Sequence, residues 1–173
     1  VMYYPASSGR LEQFMDYNTI YTTKEIHTYI GDAGIVAFDF ETAPDDKWRD
    51  EPKAALDAHK SHIVGISLSV KEGSAVYIPL SHKVGTNTTD PSGVLEYLRK
   101  AVFENPRVVK VAHNFSFEAM FLYALGIIVC EPCYDTIAAA QLTLKSKFEF
   151  RNLSDSGLKL LSTSLFGADM PDF

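Results

Sequence analysis

A short strand-forming run that ends in two acids places the strongest constraint on this chain. Residues 35–42 (IVAFDFET) begin as an apolar segment and finish with Asp39 and Glu41, which one phenylalanine separates. Because strand side chains alternate between the two faces of a sheet, both carboxylates must point to the same side. Two such like charges are costly unless a cation neutralises them, and Mg²⁺ prefers carboxylate oxygens. The alternative is a strand that ends in solvated charges, which a short motif alone does not exclude.

The composition is that of one globular, soluble domain. The 173 residues are 46% hydrophobic and 12% aromatic, which is enough for a sizeable core. No apolar run approaches the ~20 residues of a membrane span, and the N-terminus lacks the basic-then-apolar order of a signal peptide. We therefore expect a cytoplasmic protein with no membrane partner. A net charge of -6 argues against bulk electrostatic binding of nucleic acid, so any such contact must be local or metal-mediated.

The two cysteines, Cys130 and Cys133, form a C-x-x-C pair. A zinc site needs four ligands, and no second pair of Cys or His stands at matching spacing. We interpret the pair as two reduced thiols beside a strand-to-helix turn, which is consistent with a cytosolic compartment.

Periodicity and turn residues predict five strands and several helices. The predicted strands are 35–42, 62–70, 75–80, 107–112 and 127–130, after an extended lead-in over residues 1–20. The predicted helices are 24–30 capped by Thr22 or Thr23, 53–60, 91–104, 116–125 with an apolar face of Met120, Phe121 and Leu125, 135–144 capped by Asp135, and 153–166.

This order of elements predicts an α/β fold with a five-stranded mixed sheet flanked by helices. The first three strands form an antiparallel meander, and the fourth and fifth lie parallel to the first. The carboxyl ends of strands one and four then share an edge, where functional residues of open α/β sheets gather. Residues 112–118 (AHNFSFE) follow strand four into a helix, so Glu118 is a candidate third carboxylate. Its alternative role is to favour the helix dipole, worth at most about 1 kcal/mol.

Four sequence blocks occur in the order of a known enzyme family. They are 36–42 (VAFDFET), the meander segments 63–68 (IVGISL) and 75–82 (AVYIPLSH), then 111–118 (VAHNFSFE), and finally 134–136 (YDT) with 152–158 (NLSDSGL). From about residue 35 to residue 167 the chain resembles the DEDD 3′-5′ exonucleases, in particular the proofreading domain of family A, DNA polymerase I-like polymerases. The resemblance implies an RNase H-like fold. The segment 77–82 (YIPLSH) favours these polymerases over RNase D-like enzymes.

The resemblance also implies a two-metal mechanism for hydrolysis of the 3′-terminal phosphodiester of DNA. Two Mg²⁺ or Mn²⁺ ions would share Asp39, while Glu41 would serve the nucleophile-side ion and Glu118 the leaving-group ion. Positions near the terminal nucleotide match Thr42, His113, Asn114 and Phe117, each of which is equally compatible with a turn or core role. The implied partners are a single-stranded or frayed 3′ end of DNA and a polymerase domain in the same full-length chain.

The chain departs from the family at three points. The family has Asp at the position of Glu118 and commonly Gln at that of His113, and its third motif, Tyr or His four residues before an Asp, does not occur after Tyr134. We therefore expect residues 1–173 to be a single exonuclease domain, a fragment cut before the third motif and weakly active or inactive alone. The alternatives are a catalytically impaired structural domain of a polymerase and an RNase D-like RNA-trimming exonuclease, which would need 2′-hydroxyl contacts.

Overall fold

A computed structural model describes residues 16–148 and 157–166 of the protein. Its strands are β1 (Asp16–Thr19), β2 (Ile35–Pro44), β3 (Ser61–Lys71), β4 (Ser74–Pro79), β5 (Val109–Ala112) and β6 (Cys133–Asp135). Its α-helices are α1 (Thr23–Ile30), α2 (Pro91–Leu98), α3 (Phe115–Ala124), α4 (Thr136–Phe148) and α5 (Leu158–Phe166).

The six strands form one mixed sheet in the order β1-β4-β3-β2-β5-β6. Strands β2, β3 and β4 make an antiparallel meander, whereas β5 and β6 run parallel to β2. This confirms the predicted meander and the predicted parallel direction of the fourth strand, and it puts β2 at the centre of the sheet. The carboxyl ends of β2, β5 and β6 consequently meet at one edge.

One face of β2 anchors the hydrophobic core. Val36, Phe38 and Phe40 alternate along the strand and are at most 5% exposed. Helix α2 continues as a π-helical turn, Arg99–Phe103, which brings the Phe103 ring to 5.1 Å from that of Phe38. Aromatic rings in such tilted or edge-on contact contribute beyond the area they bury. The core therefore fixes the strand whose opposite face carries the two acids.

Side chains at the helix starts explain where α1 and α2 begin. Thr22 and Glu25 form a reciprocal capping box at α1, and the Asp90 carboxylate accepts from the Gly93 N–H at 2.9 Å at α2. The cap predicted at Thr22 is confirmed, and Asp90 is the residue that caps α2.

The sheet has six strands rather than the five predicted, because β1 pairs with β4 in the segment predicted as a lead-in. The predicted strand 127–130 is wrong: these residues form no strand, and β6 (Cys133–Asp135) pairs with β5 instead. Ile127 is buried, whereas Ile128 is 69% exposed. The Ile127 N–H donates to the Leu122 carbonyl and the Cys130 N–H to the Phe103 carbonyl, both at 2.9 Å, so these backbone groups pair with helical turns rather than with a strand.

Two helix predictions also need correction. In place of a helix over residues 53–60 there is a single 3₁₀ turn, Ala54–Leu56. On α3, Phe121 is buried as expected, but Met120 and Leu125 are 47% and 51% exposed. The helix is apolar on nearly every side, so spacing alone did not identify its inward face.

Some sequence predictions fall outside the described residues: the lead-in over 1–15, residues 152–156 of the fourth block, the start of the last helix, and the segment 167–173. Within the described ranges, no helix is long and apolar enough to cross a membrane. Cys130 and Cys133 are both free thiols, as predicted.

Candidate active site

Asp39 and Glu41 lie side by side on the open face of β2. Both are exposed, whereas Phe38 and Phe40 on the opposite face are buried. Asp39 pairs across the sheet with Ser67, and Glu41 pairs with Gly65. The predicted common direction of the two carboxylates is therefore confirmed.

A β-bulge follows Glu41 directly. Glu41 pairs with Gly65 but Thr42 pairs with Ile63, so Val64 is an extra residue on β3. The Thr42 hydroxyl donates to the Ala55 carbonyl oxygen at 2.7 Å and so ties the β2–β3 loop to the strand. Because its proton is used in this way, Thr42 has a clear structural role at the position predicted to lie near the substrate.

Glu118 occupies the first turn of α3 but is not a solvated first-turn acid. Its side chain is only 2% exposed, and no described residue forms a hydrogen bond with its buried Oε2 atom. Asn114 leads into this helix in the left-handed region (φ 65°, ψ 55°), which Asn tolerates better than most residues. The turn from β5 into α3 thus directs Glu118 inward.

The three acids interact electrostatically through Asp39. The pKa of Glu118 is raised to about 7, chiefly by loss of hydration on burial and also by the charges of Asp39 and Asp135, against the opposing effect of backbone N–H groups. The pKa of Asp39 is raised too, first by partial loss of hydration and then by the charge of Glu41. A cation placed among these carboxylates would relieve both effects.

The carboxylates are nevertheless not assembled into a cage. Among residues 16–148 and 157–166, no three His, Cys, Asp or Glu side chains converge in a way that could hold a metal ion. Carboxylate oxygens are the right donors for Mg²⁺ or Mn²⁺, and the unpartnered Oε2 of Glu118 is suited to that chemistry. The donor types therefore fit a divalent metal, while the geometry here is open.

Asp135 supports the site in a way that the sequence interpretation missed. Its carboxylate accepts from the N–H of Ile137 at 2.9 Å, which confirms the predicted cap of α4. It also accepts from the N–H groups of Asn114 and Phe115, at 3.0 and 3.1 Å, and so caps α3 as well. No direct signal in the sequence marked this second role, because it depends on the pairing of β6 with β5, and β6 was not predicted.

We expect Asp135→Ala to lower the free energy of unfolding by about 2 kcal/mol, because one substitution removes the caps of two helices. The matched control is Asp90→Ala, which removes the single cap of α2 and should cost about 1 kcal/mol. Urea denaturation followed by circular dichroism measures both. Equal losses for the two variants would contradict the double-cap interpretation.

The other predicted site residues lie around the same edge with different surroundings. His113 Nδ1 is 2.9 Å from the Thr136 hydroxyl, and the Asn114 side chain accepts from Ser116 Oγ at 3.0 Å. The Phe117 ring contacts that of Phe121, 4.9 Å away between centroids, and packs against the core.

Asp39 and His113 line a cavity of about 230 Å³ together with Ser67, Ser69 and Leu158. His113 and Asn114 therefore lie at the sheet edge, while Phe117 is chiefly a packing residue.

Comparison with known proteins identifies the family of this chain. A family profile described as 3′-5′ exonuclease matches residues 17–170. DNA polymerase I of Pseudomonas aeruginosa is 30% identical over 137 residues, which cover 77% of this chain and 14% of that protein. The chain thus spans about one seventh of the length of this relative.

Solved structures share the fold at lower sequence identity. Brucella melitensis NrnC with bound Mg²⁺ superposes with a TM-score of 0.59 at 18% identity, covering 92% of this chain and 65% of that one. Escherichia coli RNase D superposes with a TM-score of 0.57 at 18% identity, covering 91% and 35%. These similarities confirm the predicted RNase H-like exonuclease fold. The family profile and the sequence relative show that the chain belongs to the 3′-5′ exonuclease family, in its DNA polymerase I-like branch.

Proposed function

We propose that this chain acts as a 3′-5′ exonuclease domain that removes nucleotides from a single-stranded or frayed 3′ end of DNA, within a DNA polymerase I-like protein. The observation that carries the proposal is the set of three coupled acids. Asp39 and Glu41 share the open face of β2, and the buried Glu118 senses the charge of Asp39. Such a set suits hydrolysis of a phosphodiester by divalent ions.

In this proposal Asp39, Glu41 and Glu118 would hold two Mg²⁺ or Mn²⁺ ions, which would activate the attacking water and stabilise negative charge on the leaving oxygen. Asp39 interacts electrostatically with both of the other acids, Glu41 and Glu118. It is therefore the residue suited to bind both ions. Burial of Glu118 keeps water from its carboxylate. His113 lines the cavity beside Asp39 and Asn114 follows it in the chain, and in this proposal both residues contact the terminal nucleotide.

The charge of the chain favours a local mode of strand binding. With a net charge of -6, the domain gains little from long-range attraction to phosphates. A frayed strand can instead be held by metal ions, stacking and a few hydrogen bonds near its end. The proposed substrate is therefore a free 3′ end rather than an intact duplex.

The experiment that tests the function compares this chain with a longer protein, made by joining a segment that carries a Tyr-x-x-x-Asp motif to the end of this chain, hereafter the extended protein. Both are incubated in Mg²⁺ with 5′-labelled single-stranded DNA or RNA. We expect stepwise 3′-end degradation of DNA by the extended protein and little or none by this chain. Robust degradation by this chain would refute the need for a third motif. Preferential trimming of RNA would favour the RNase D-like alternative, and inactivity of the extended protein on both substrates would refute the proposed function.

We also expect this chain to bind Mg²⁺ and Mn²⁺ only weakly, because its carboxylates are coupled but not assembled into a cage. Isothermal titration calorimetry should give dissociation constants no tighter than about millimolar for Mg²⁺, a hydrated ion that demands near-ideal geometry. Asp39→Ala should weaken the binding further. Sub-micromolar binding that survives this substitution would show that the ions bind elsewhere.

A further inference from the structure

A tyrosine lies across the sheet next to Glu41, on the same open face. Tyr77 on β4 faces Ser67 of β3, and its ring extends over Gly65, the residue that pairs with Glu41. A Cβ atom at position 65 would overlap the Tyr77 hydroxyl. The absence of a side chain at Gly65 therefore lets this hydroxyl approach the Glu41 end of the site.

A histidine holds the Tyr77 hydroxyl in place. The Tyr77 oxygen lies 2.5 Å from His82 Nε2, in the segment 77–82 that carries the family resemblance. The backbone of His82 is clamped in turn by the Asn87 amide, which accepts from the His82 N–H and donates to the His82 carbonyl, both at 2.8 Å. The hydrogen-bonded pair of Tyr77 and His82 is therefore held in place by the loop that contains Asn87.

The surroundings of Tyr77 differ from those of a tyrosine that serves only the fold. The Tyr29 hydroxyl, for comparison, lies among internal partners, the Leu68 carbonyl and the Ser74 hydroxyl. Tyr77 and His82 are both partly exposed, on the side of the sheet where the carboxylates lie. Partial burial and the charge of Glu41 raise the pKa of Tyr77, so its hydroxyl remains a neutral hydrogen-bond donor.

We propose that the Tyr77 hydroxyl binds a sugar-phosphate oxygen of the nucleic-acid strand at the Glu41 end of the site, and that His82 is the positioning residue that orients it. When His82 Nε2–H donates to the tyrosine oxygen, the phenolic O–H is left to donate to the strand. A sugar-phosphate oxygen needs donors, and the neighbouring carboxylates have none to offer. This inference rests on the proposed function.

The first test measures binding of a fluorescent single-stranded DNA oligonucleotide with a 3′-terminal phosphorothioate, by anisotropy in Mg²⁺. Tyr77→Phe should bind about fivefold more weakly, as expected for one lost hydrogen bond. The matched control is Tyr97→Phe, because Tyr97 also pairs with a histidine, His27 Nδ1 at 3.0 Å, between α1 and α2. This control should bind as the unchanged chain does.

A second variant moves the tyrosine without removing a polar group. Gly65→Ala should displace the Tyr77 ring and weaken binding by a similar factor, and Gly65→Ala combined with Tyr77→Phe should lose little more than either change alone. In the extended protein, Tyr77→Phe should raise KM about fivefold with kcat changed less than twofold. His82→Gln, which keeps a hydrogen-bonding group, should be milder than His82→Ala in both measurements.

The outcomes separate the inference from the function on which it rests. If the unchanged chain binds the oligonucleotide and the extended protein degrades DNA, but Tyr77→Phe matches Tyr97→Phe, the role of Tyr77 is refuted and the exonuclease proposal stands. A fall in kcat at constant KM would also refute the binding role. If the unchanged chain does not bind and the extended protein is inactive, both proposals fail.

Discussion

Asp39→Ala is expected to lower the rate of 3′-end hydrolysis by the extended protein at least a thousandfold, which corresponds to about 4 kcal/mol of transition-state stabilisation. Asp39 is electrostatically coupled both to Glu41 and to Glu118, so its loss disturbs the whole set of acids. Glu41 and Glu118 each interact with Asp39, but the charge of Glu41 is not among the causes that raise the pKa of Glu118. Single-turnover kinetics on labelled single-stranded DNA measure the effect without a contribution from product release.

The matched control for this change is Asp32→Ala. Asp32 is an exposed acid in the turn that precedes β2, so its loss changes the net charge by the same amount without touching the open face. The rate of 3′-end hydrolysis by the Asp32→Ala variant should stay within twofold of that of the unchanged protein. An Asp39→Ala variant that keeps more than a tenth of the rate would place the metal ions away from β2.

Glu118→Gln is expected to stabilise the metal-free chain at pH 8 by up to about 3 kcal/mol, while it slows hydrolysis by the extended protein about a hundredfold. The stabilisation arises because burial makes ionisation of Glu118 unfavourable in the folded state and raises its pKa from 4.5 to about 7. Glutamine has nearly the same shape and no charge to desolvate. Glu118, which serves the proposed chemistry, thus lowers the free energy of unfolding of the metal-free chain.

The sign of the pH dependence follows from the raised pKa. Between about pH 4.5 and pH 7 the folded chain keeps the Glu118 proton that the unfolded chain has released. The stability contributed by this group is therefore fully present at low pH, is lost as the pH rises through this window, and is constant above it. Glu118→Gln should remove this part of the pH dependence.

Urea denaturation of the metal-free chain at pH 5 and pH 8 measures this difference. Glu72→Gln is the matched control, since Glu72 is an exposed acid in the β3–β4 turn and its loss should shift stability by less than 0.5 kcal/mol. The stability gained by Glu118→Gln over the unchanged chain should fall from about 3 kcal/mol at pH 8 to less than about 1 kcal/mol at pH 5. An advantage of equal size at both pH values would point to packing rather than to ionisation.

The central part of the site could be predicted because it follows from local geometry. Alternation along a strand fixes the common direction of Asp39 and Glu41, and the order of elements brings the helix of Glu118 beside them. The depth of Glu118 did not follow from the sequence. A first-turn acid is usually solvated, and its burial here depends on how α3 lies against the sheet and on the distant Asp135.

The sheet edges were the least predictable part of the fold. β1 consists of four exposed residues (DYNT), so no hydrophobic pattern marked it as a strand. At the other edge, the apolar run 127–130 has better strand propensity than β6, yet β6 is the segment whose register meets Lys110, Val111 and Ala112. Pairing at an edge depends on which segment reaches the neighbouring strand, and tertiary context therefore overrides propensity.

The bulge after Glu41 has a consequence for the engineering of this domain. The register of β2 on β3 shifts by one residue between Glu41 and Thr42. The three pairs from Thr42 to Pro44 therefore lie on the loop side of the bulge, whereas the pairs that orient Asp39 and Glu41 lie on the other side. The two ends of the β2–β3 loop are joined by a hydrogen bond from the Asp45 N–H to the Lys60 carbonyl oxygen, at 2.9 Å. Insertions between Asp45 and Lys60 should leave the register of Asp39 and Glu41 unchanged, so this loop is a position where a new recognition segment can be grafted.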